Sequence, residues 1–123
     1  MKTTKTVVEG FFDAMYAQNG WEAFISDEVT FEGPLMAPIK GKEAFIEVTK
    51  QFLQNQNQAK VRNIIMDGDS ACVMTNYKMG HPDVAILDLD ACEIVQLKDG
   101  KVESMEIYFD SQKLTEFMAK MNA

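Results

Sequence analysis

Histidine, cysteine and positive charge are scarce in this chain of 123 residues. His81 is its one histidine, and its two cysteines, Cys72 and Cys92, lack the close spacing of metal ligands. Lysine and arginine total 12 against 19 for aspartate and glutamate, a net charge of -7. This charge repels a phosphate backbone and an anionic membrane alike, so we expect no nucleic acid and no membrane as a partner. We also expect no metal and no other cofactor.

Long apolar runs are missing as well. No stretch is long enough to span a membrane, and Glu9 and Gly10 interrupt the apolar start of the chain before it reaches the length of a signal peptide. We therefore expect a cytoplasmic protein whose two cysteines are buried, reduced thiols in strands. A disulfide stays open as an alternative if those strands are neighbours. The length fits one domain, residues 1–123, with a core and a small cavity.

Hydrophobic periodicity changes along the chain from helical to alternating. The helical pattern predicts helices at about 4–18, 21–25, 42–55 and 110–121. Alternation and turn residues predict strands at 29–32, 59–66, 70–79 and two more between 84 and 110, with a loop at the polar run 54–58. This order predicts an α+β fold, a cone-shaped curved antiparallel sheet with helices packed on its concave side.

One carboxylate interrupts an apolar row in the long strand after Val84. The alternate residues of that row are Leu87, Leu89, Ala91, Glu93, Val95 and Leu97. Because alternate side chains share a face of the sheet, we expect Glu93 to point into the interior, where a carboxyl group must be neutral or hydrogen-bonded. The alternatives are a carboxylate at the rim paired with a lysine, and a bulge that turns the side chain outward.

Other side chains are candidates for the same cavity. Asn76 shares an alternation phase with Cys72 and Met74, so we expect it either to enter the cavity or to be a satisfied core amide. His81 is either a proton shuttle at the cavity mouth or a solvated loop residue. The expected lining, for which ordinary core packing is the alternative, is Phe11, Phe31, Met36, Phe52, Met74, Asn76, Met105, Ile107 and Phe109.

Three segments carry a family resemblance: 7–15 (VVEGFFDAM), 29–34 (VTFEGP) with Gly41, and 100–110 (GKVESMEIYFD). With them the chain resembles the nuclear transport factor two-like superfamily, in particular its SnoaL-like and ketosteroid isomerase-like branch. The resemblance implies a sheet curled around a deep apolar pocket for a small hydrophobic molecule. It also implies a homodimer through the outer sheet face, where the alternation phase places Tyr77 and Tyr108.

Most catalytic residues of ketosteroid isomerases have no counterpart here. The position that resembles their aspartate base is Gly33, and the one that resembles their phenol on the first helix is Phe11. Their second oxyanion donor, a protonated carboxylic acid on the long strand, falls on Glu93, in agreement with the alternation pattern. Steroid isomerisation by that mechanism is therefore not expected.

Two other activities of the superfamily lack their residues as well. The epoxide hydrolases need an arginine flanked by carboxylates, and the similar positions hold Thr75, Tyr77 and Ile107. A site like that of scytalone dehydratase needs paired histidines, and the chain has only His81. SnoaL-like cyclases use a pocket acid, which Glu93 matches.

We therefore expect a SnoaL-like pocket protein that is an enzyme of the isomerase, cyclase or lyase type. It would use Glu93 as acid and base or as oxyanion donor on a hydrophobic cyclic or carbonyl compound. The alternative is a non-catalytic binding protein for a small hydrophobic ligand, which the residues at Gly33 and Phe11 favour. A protein-binding scaffold is less supported, because no exposed peptide groove is marked in the sequence.

Overall fold

The computed structural model describes residues 3–123, so residues 1 and 2 of the predicted domain lie outside it. Three α-helices, one short 3-10 helix and six strands follow each other in the described chain. They are α1 (Thr4–Tyr16), the 3-10 helix (Trp21–Phe24), β1 (Ile25–Glu32), β2 (Ile39–Lys40), α2 (Lys42–Asn55), β3 (Gln56–Asp67), β4 (Ser70–His81), β5 (Ala85–Lys98), β6 (Lys101–Phe109) and α3 (Ser111–Met121). Every predicted helix and strand is present, with bounds that differ by a few residues.

The six strands form one curved sheet in the order β2-β1-β6-β5-β4-β3. Strands β3 to β6 make an antiparallel meander, as predicted. Strand β1 lies parallel to β6, so the sheet is mixed rather than wholly antiparallel. This parallel pairing is possible because the long stretch from β2 to β5 separates the two strands in the chain. The predicted α+β cone is confirmed, since the helices pack on one side of this sheet.

Helix α1 positions the core. Its buried stripe, Val7, Val8, Phe11, Phe12 and Met15, repeats at three- and four-residue spacings and packs on the concave side of the sheet. Thr3 caps this helix by accepting a hydrogen bond from the Thr6 backbone N–H. A second cluster lies further along the sheet, around Tyr77, Met79, Leu87, Leu89 and Ala91.

Helix α3 covers the second cluster incompletely. Leu114 and Phe117 of α3 pack against this cluster, but no residue of the helix is fully buried. Gly80 permits the approach of α3, because its φ is +110° and a Cβ there would meet the Ala85 carbonyl oxygen and the Phe117 ring. The end of the cone that contains the second cluster is thus its more open end. Within residues 3–123, none of the helices has both the length and the apolar character of a membrane span.

Candidate functional site

Glu93 lies inside the fold. Its residue surface is 3% exposed, and it pairs with Val73 of β4 and Ile107 of β6 on the neighbouring strands. The register shift between β5 and β6 falls at Gln96 and Leu97, beyond the carboxylate. The prediction that Glu93 points inward is therefore confirmed, and both alternatives, the rim carboxylate and the outward bulge, are wrong.

Two hydroxyl groups hold one oxygen of the Glu93 carboxyl group. Thr75 Oγ1 donates a hydrogen bond of 2.8 Å to Oε2, and Tyr77 OH donates one of 2.6 Å to the same atom. Within residues 3–123, Oε1 accepts no hydrogen bond, yet it is not among the fully enclosed unpaired polar atoms. One oxygen is thus positioned by the protein, and the other keeps its hydrogen-bonding capacity.

Tyr16 extends this network towards the surface. Its hydroxyl lies 2.9 Å from that of Tyr77, and the two rings meet edge to face. Phe52 packs against the other side of the Tyr77 ring, with 4.8 Å between ring centroids. Tyr16 is half-buried, whereas Tyr77 is enclosed. A continuous row of hydrogen-bonding groups therefore leads from a half-buried phenol to the buried Glu93 and Thr75.

The protonation of this network follows from its burial. Desolvation raises the pKa of Glu93 to about 7, against the opposing effect of the hydrogen bonds from Tyr77 and Thr75. Desolvation and the nearby Glu93 charge also raise the pKa of each phenol, Tyr16 and Tyr77, so both stay neutral at physiological pH. None of the ion pairs formed by the described residues includes Glu93. Both protonation states of Glu93 are therefore accessible near neutral pH.

The polar network lies between the two apolar clusters. On β5 the inward residue before Glu93 is Ala91, in the second cluster, and the one after it is Val95, in the first. Tyr16 and Phe52 contact both clusters. The carboxyl group thus stands where the first cluster ends and the less covered second cluster begins.

Three of the predicted lining residues gather around this network. Phe52 packs directly on Tyr77, while Ile107 and Phe109 belong to the half-buried part of the second cluster. Ile107 is also the β6 neighbour of Glu93. These three side chains give the network an apolar surround that is not fully closed.

Four other predicted lining residues lie elsewhere in the structure. Phe11 and Met105 are buried in the first cluster, which makes them core residues. Phe31 packs edge to face on Phe45, with 5.6 Å between centroids. Met36 lies in the loop after β1, with its Sδ beside Gly33. The expectation that Phe11 and Met105 line the cavity is therefore wrong, and the Phe11 ring contacts the rings of Phe12 and Phe24.

The expectation that Met74 and Asn76 enter the cavity is wrong as well. Both lie on the outer face of β4, and the Asn76 amide donates to Asp88 at 2.6 Å and to Asp90 at 3.0 Å. The alternative for Asn76, a satisfied core amide, holds for its nitrogen but not for its buried Oδ1, which has no hydrogen-bond partner among residues 3–123. The opposite phase, which contains Thr75 and Tyr77, faces inward, so the outer position expected for Tyr77 is also wrong. The two alternating rows of side chains on β4 contain similar numbers of apolar residues, so the sequence pattern does not separate the inner face from the outer one. Lys78 was the one residue that could have identified its row as the outer one.

Gly33 has no room for a side chain. A Cβ at this position would lie 2.6 Å from Ile107 Cγ2. Gly33 is the position that resembles the aspartate base of ketosteroid isomerases. The space that an aspartate side chain would need there is filled by Ile107 of β6. Glu93, on β5, is the buried carboxyl group among residues 3–123.

His81 and the surface depression on α2 lie outside the network. The His81 side chain is 62% exposed, and its Nδ1 accepts a hydrogen bond from the Asp83 backbone N–H, as expected for a solvated residue. The depression has a volume of about 350 Å³ and is lined by Glu43, Ile46, Glu47, Lys50, Gln51 and Gln54. None of the predicted site residues contributes to it.

Comparison with known proteins identifies the family and the fold. The family model of the SnoaL-like domain matches residues 8–105. A Kribbella flavida protein superposes with a TM-score of 0.81 at 16% identity, over 94% of this chain and 93% of that one. A Jannaschia protein named for SnoaL-like polyketide cyclases superposes at 0.80 with 18% identity, over 94% and 91%. A Rhodopseudomonas palustris protein named as an isomerase reaches 0.77 with 18% identity, over 92% and 96%. The comparison with curated proteins finds no match.

Proposed function

Because the chain belongs to the SnoaL-like domain family, we propose that it is a small-molecule enzyme of the isomerase, cyclase or lyase type in which Glu93 transfers a proton. The observation that carries this proposal is the buried carboxyl group with one oxygen held by Thr75 and Tyr77 and the other unpaired. A general acid or base works best when its pKa lies near the working pH. The pKa of Glu93, raised by burial to about 7, meets that condition.

The proton moves at Oε1. Ionised Glu93 takes a proton from a carbon next to a carbonyl group of the substrate, while the Thr75 and Tyr77 hydroxyls stabilise the carboxylate through Oε2. The protonated acid then returns the proton to another atom of the substrate. This sequence moves a double bond, closes a ring or assists the loss of a leaving group, according to where the proton is returned.

Tyr16 supports the carboxylate of Glu93 through Tyr77. Because Tyr77 donates its only hydroxyl proton to Glu93 Oε2, Tyr16 donates the hydrogen bond of 2.9 Å between the two phenols. This bond strengthens Tyr77 as a donor to the carboxylate. Phe52, Ile107 and Phe109 supply the apolar surround, which favours a hydrophobic cyclic or carbonyl compound.

The second candidate is a non-catalytic protein that binds a small hydrophobic ligand. The observation that favours it is Gly33, where Ile107 fills the space that a second carboxyl group would need. Protonated Glu93 would then donate a hydrogen bond from Oε1 to a ligand carbonyl group without any proton transfer to carbon.

Proton exchange into a bound compound separates the two candidates. Carbonyl compounds that copurify with the protein, identified by mass spectrometry, are incubated with it in deuterated water and followed by proton NMR. We expect exchange next to the carbonyl group to be about 100-fold slower or more in Glu93→Gln, with little change in the dissociation constant. Glu103→Gln, on the surface of β6, is the matched control and should exchange like the parent protein. If the parent protein binds the compound but catalyses no exchange, the enzyme proposal is wrong and the binding function is supported.

A further inference from the structure

The carboxyl group on which the proposed function depends is covered by other parts of the chain. Glu93, Thr75 and Tyr77 are 3%, 0% and 1% exposed. A group that takes a proton from a substrate has to come within about 3 Å of the atom that bears the proton. A substrate therefore reaches Glu93 Oε1 only after an element that covers the carboxyl group has moved.

Three helices pack on the side of the sheet to which Glu93 points. Helix α1 has five buried residues and α2 has three, whereas among the described residues 111–121 of α3 none is buried. Segments that bury little apolar surface open at a lower free energy than the rest of a fold. Of the three helices, α3 is thus the one that separates from the sheet most readily.

Helix α3 lies along the way from the open end of the cone to Glu93. Strand β6 ends opposite Ala91, the inward residue before Glu93 on β5, and α3 begins shortly after that point. Leu114 and Phe117 pack against the second cluster, and the Phe117 ring lies over Gly80 near the far end of β4. A compound that enters at the open end has to pass under α3 to reach the carboxyl group.

The polar contacts of α3 hold the helix together more than they hold it to the sheet. Asp110 caps the helix by accepting hydrogen bonds from the backbone N–H groups of Gln112 and Lys113. This cap lies within the turn that joins β6 to α3, so it moves with the helix. Lys113 Nζ donates a hydrogen bond of 3.1 Å to the Asp88 backbone oxygen, at an exposed position on β5. The helix can therefore turn about Asp110 without losing its own structure.

We propose that α3 is a movable cover of the Glu93 site, which lifts from the second cluster to admit a compound and then closes on it. Phe117, seated over Gly80, keeps the cover closed. Leu114, one turn nearer to Asp110, contacts the apolar part of the bound compound, whose polar end faces Glu93. This cover depends on the proposed function only in that the ligand lies beside Glu93, and it serves the enzyme and the binding protein alike. Closure also removes water from the carboxyl group and its ligand.

Labelling with dicyclohexylcarbodiimide, an apolar reagent for protonated carboxyl groups, tests access to Glu93 without any turnover. The full chain is treated at about pH 6, below the pKa of Glu93 of about 7, and peptide mapping by mass spectrometry follows the label on Glu93. We expect Phe117→Ala to be labelled about 10-fold faster than the parent protein, because the ring no longer opposes opening. Met118→Ala, at a neighbouring residue that is 49% exposed, is the matched control and should be labelled at the parent rate.

Hydrogen exchange of the full chain, followed by mass spectrometry, shows which segment opens. In the parent protein the amides of α3 should exchange faster than those of α1, α2 and β5. Phe117→Ala should accelerate exchange in α3 and leave β5 unchanged.

Three results would overturn the proposal. They are labelling of Glu93 at the same rate in Phe117→Ala and the parent protein, faster exchange of β5 as well as α3 in that variant, and exchange of α3 in the parent protein that is as slow as that of β5. The last result does not depend on how well the variant folds. Because neither measurement involves turnover, a protein that catalyses no proton exchange would lose the proposed enzyme function and keep its cover.

Discussion

At the scale of the residue, Glu93 makes stability depend on pH. Its pKa is about 7 in the folded protein and 4.5 for the ordinary group, so the folded state binds the proton more tightly. The free energy of unfolding therefore falls as the pH rises from about 4.5 to about 7, and the total fall is about 3 kcal/mol. Above pH 7 the contribution of Glu93 stays constant.

Glu93→Gln should remove this dependence. The glutamine stays neutral at every pH, and its side-chain oxygen can still accept from Thr75 and Tyr77. Urea unfolding at pH 5 and pH 8 should therefore show a much smaller difference for the variant than for the parent protein, with the variant the more stable of the two at pH 8. If the difference in unfolding free energy between pH 5 and pH 8 is the same in the variant as in the parent protein, another group causes the pH dependence.

Single residues differ in how far their placement could be predicted. The orientation of Glu93 was predictable, because five apolar residues share its phase and leave only one face for the core. Tyr16, Thr75 and Tyr77 were missed as site residues. Tyr16 lies one turn after Phe12 on the buried stripe of α1, but its contact with Tyr77 depends on packing between elements that are distant in the chain.

At the scale of the element, hydrogen-bonded pairing overrides local composition. The polar run 54–58 was predicted as a loop after the helix at 42–55. Helix α2 does end at Asn55, but β3 begins at once with Gln56, which pairs with Met79. Strand β2 was not predicted because it has only two residues. It is recognised as a strand by its pairing with Thr30 and Phe31 of β1. Strand propensity depends on such partners more than on the residues themselves.

The contact between β4 and α3 gives a prediction at this scale. Gly80→Ala should lower the free energy of unfolding by about 3 kcal/mol, because the methyl group meets the Ala85 carbonyl and the Phe117 ring at a positive φ. Gly68→Ala is the matched control, with a φ of +60° and open space around the added methyl group. It should lose only about 1 kcal/mol. Equal losses in urea unfolding would contradict the packing described for α3.

At the scale of the whole molecule, the outer sheet face is the surface where the homodimer is proposed. Ile65, Ile94 and Tyr108 are 57%, 41% and 52% exposed on it, next to the two cysteines. An exposed apolar patch of this kind supports an interface between copies. The fold class could be predicted from the order of the helices and strands. The dimer interface could not, because contacts with a second copy produce no hydrophobic periodicity in the sequence.

Ile94→Lys tests the dimer. A lysine in the middle of the patch should shift the sedimentation coefficient from that of a dimer to that of a monomer, because removing a charged side chain from water at the interface costs free energy. Leu35→Lys, at a loop residue that is 63% exposed, is the control and should leave the dimer intact. A parent protein that sediments as a monomer, or an Ile94→Lys variant that stays dimeric, would contradict the proposed interface.

The central claim is that a buried carboxyl group changes its protonation near neutral pH. Carbon-13 NMR of side-chain-labelled glutamate measures this directly, with the Glu93 resonance assigned from its loss in Glu93→Gln. We predict a midpoint near pH 7 for that resonance. A midpoint near the ordinary value of 4.5 would contradict the account, because Glu93 would then be ionised at every working pH and could not act as an acid.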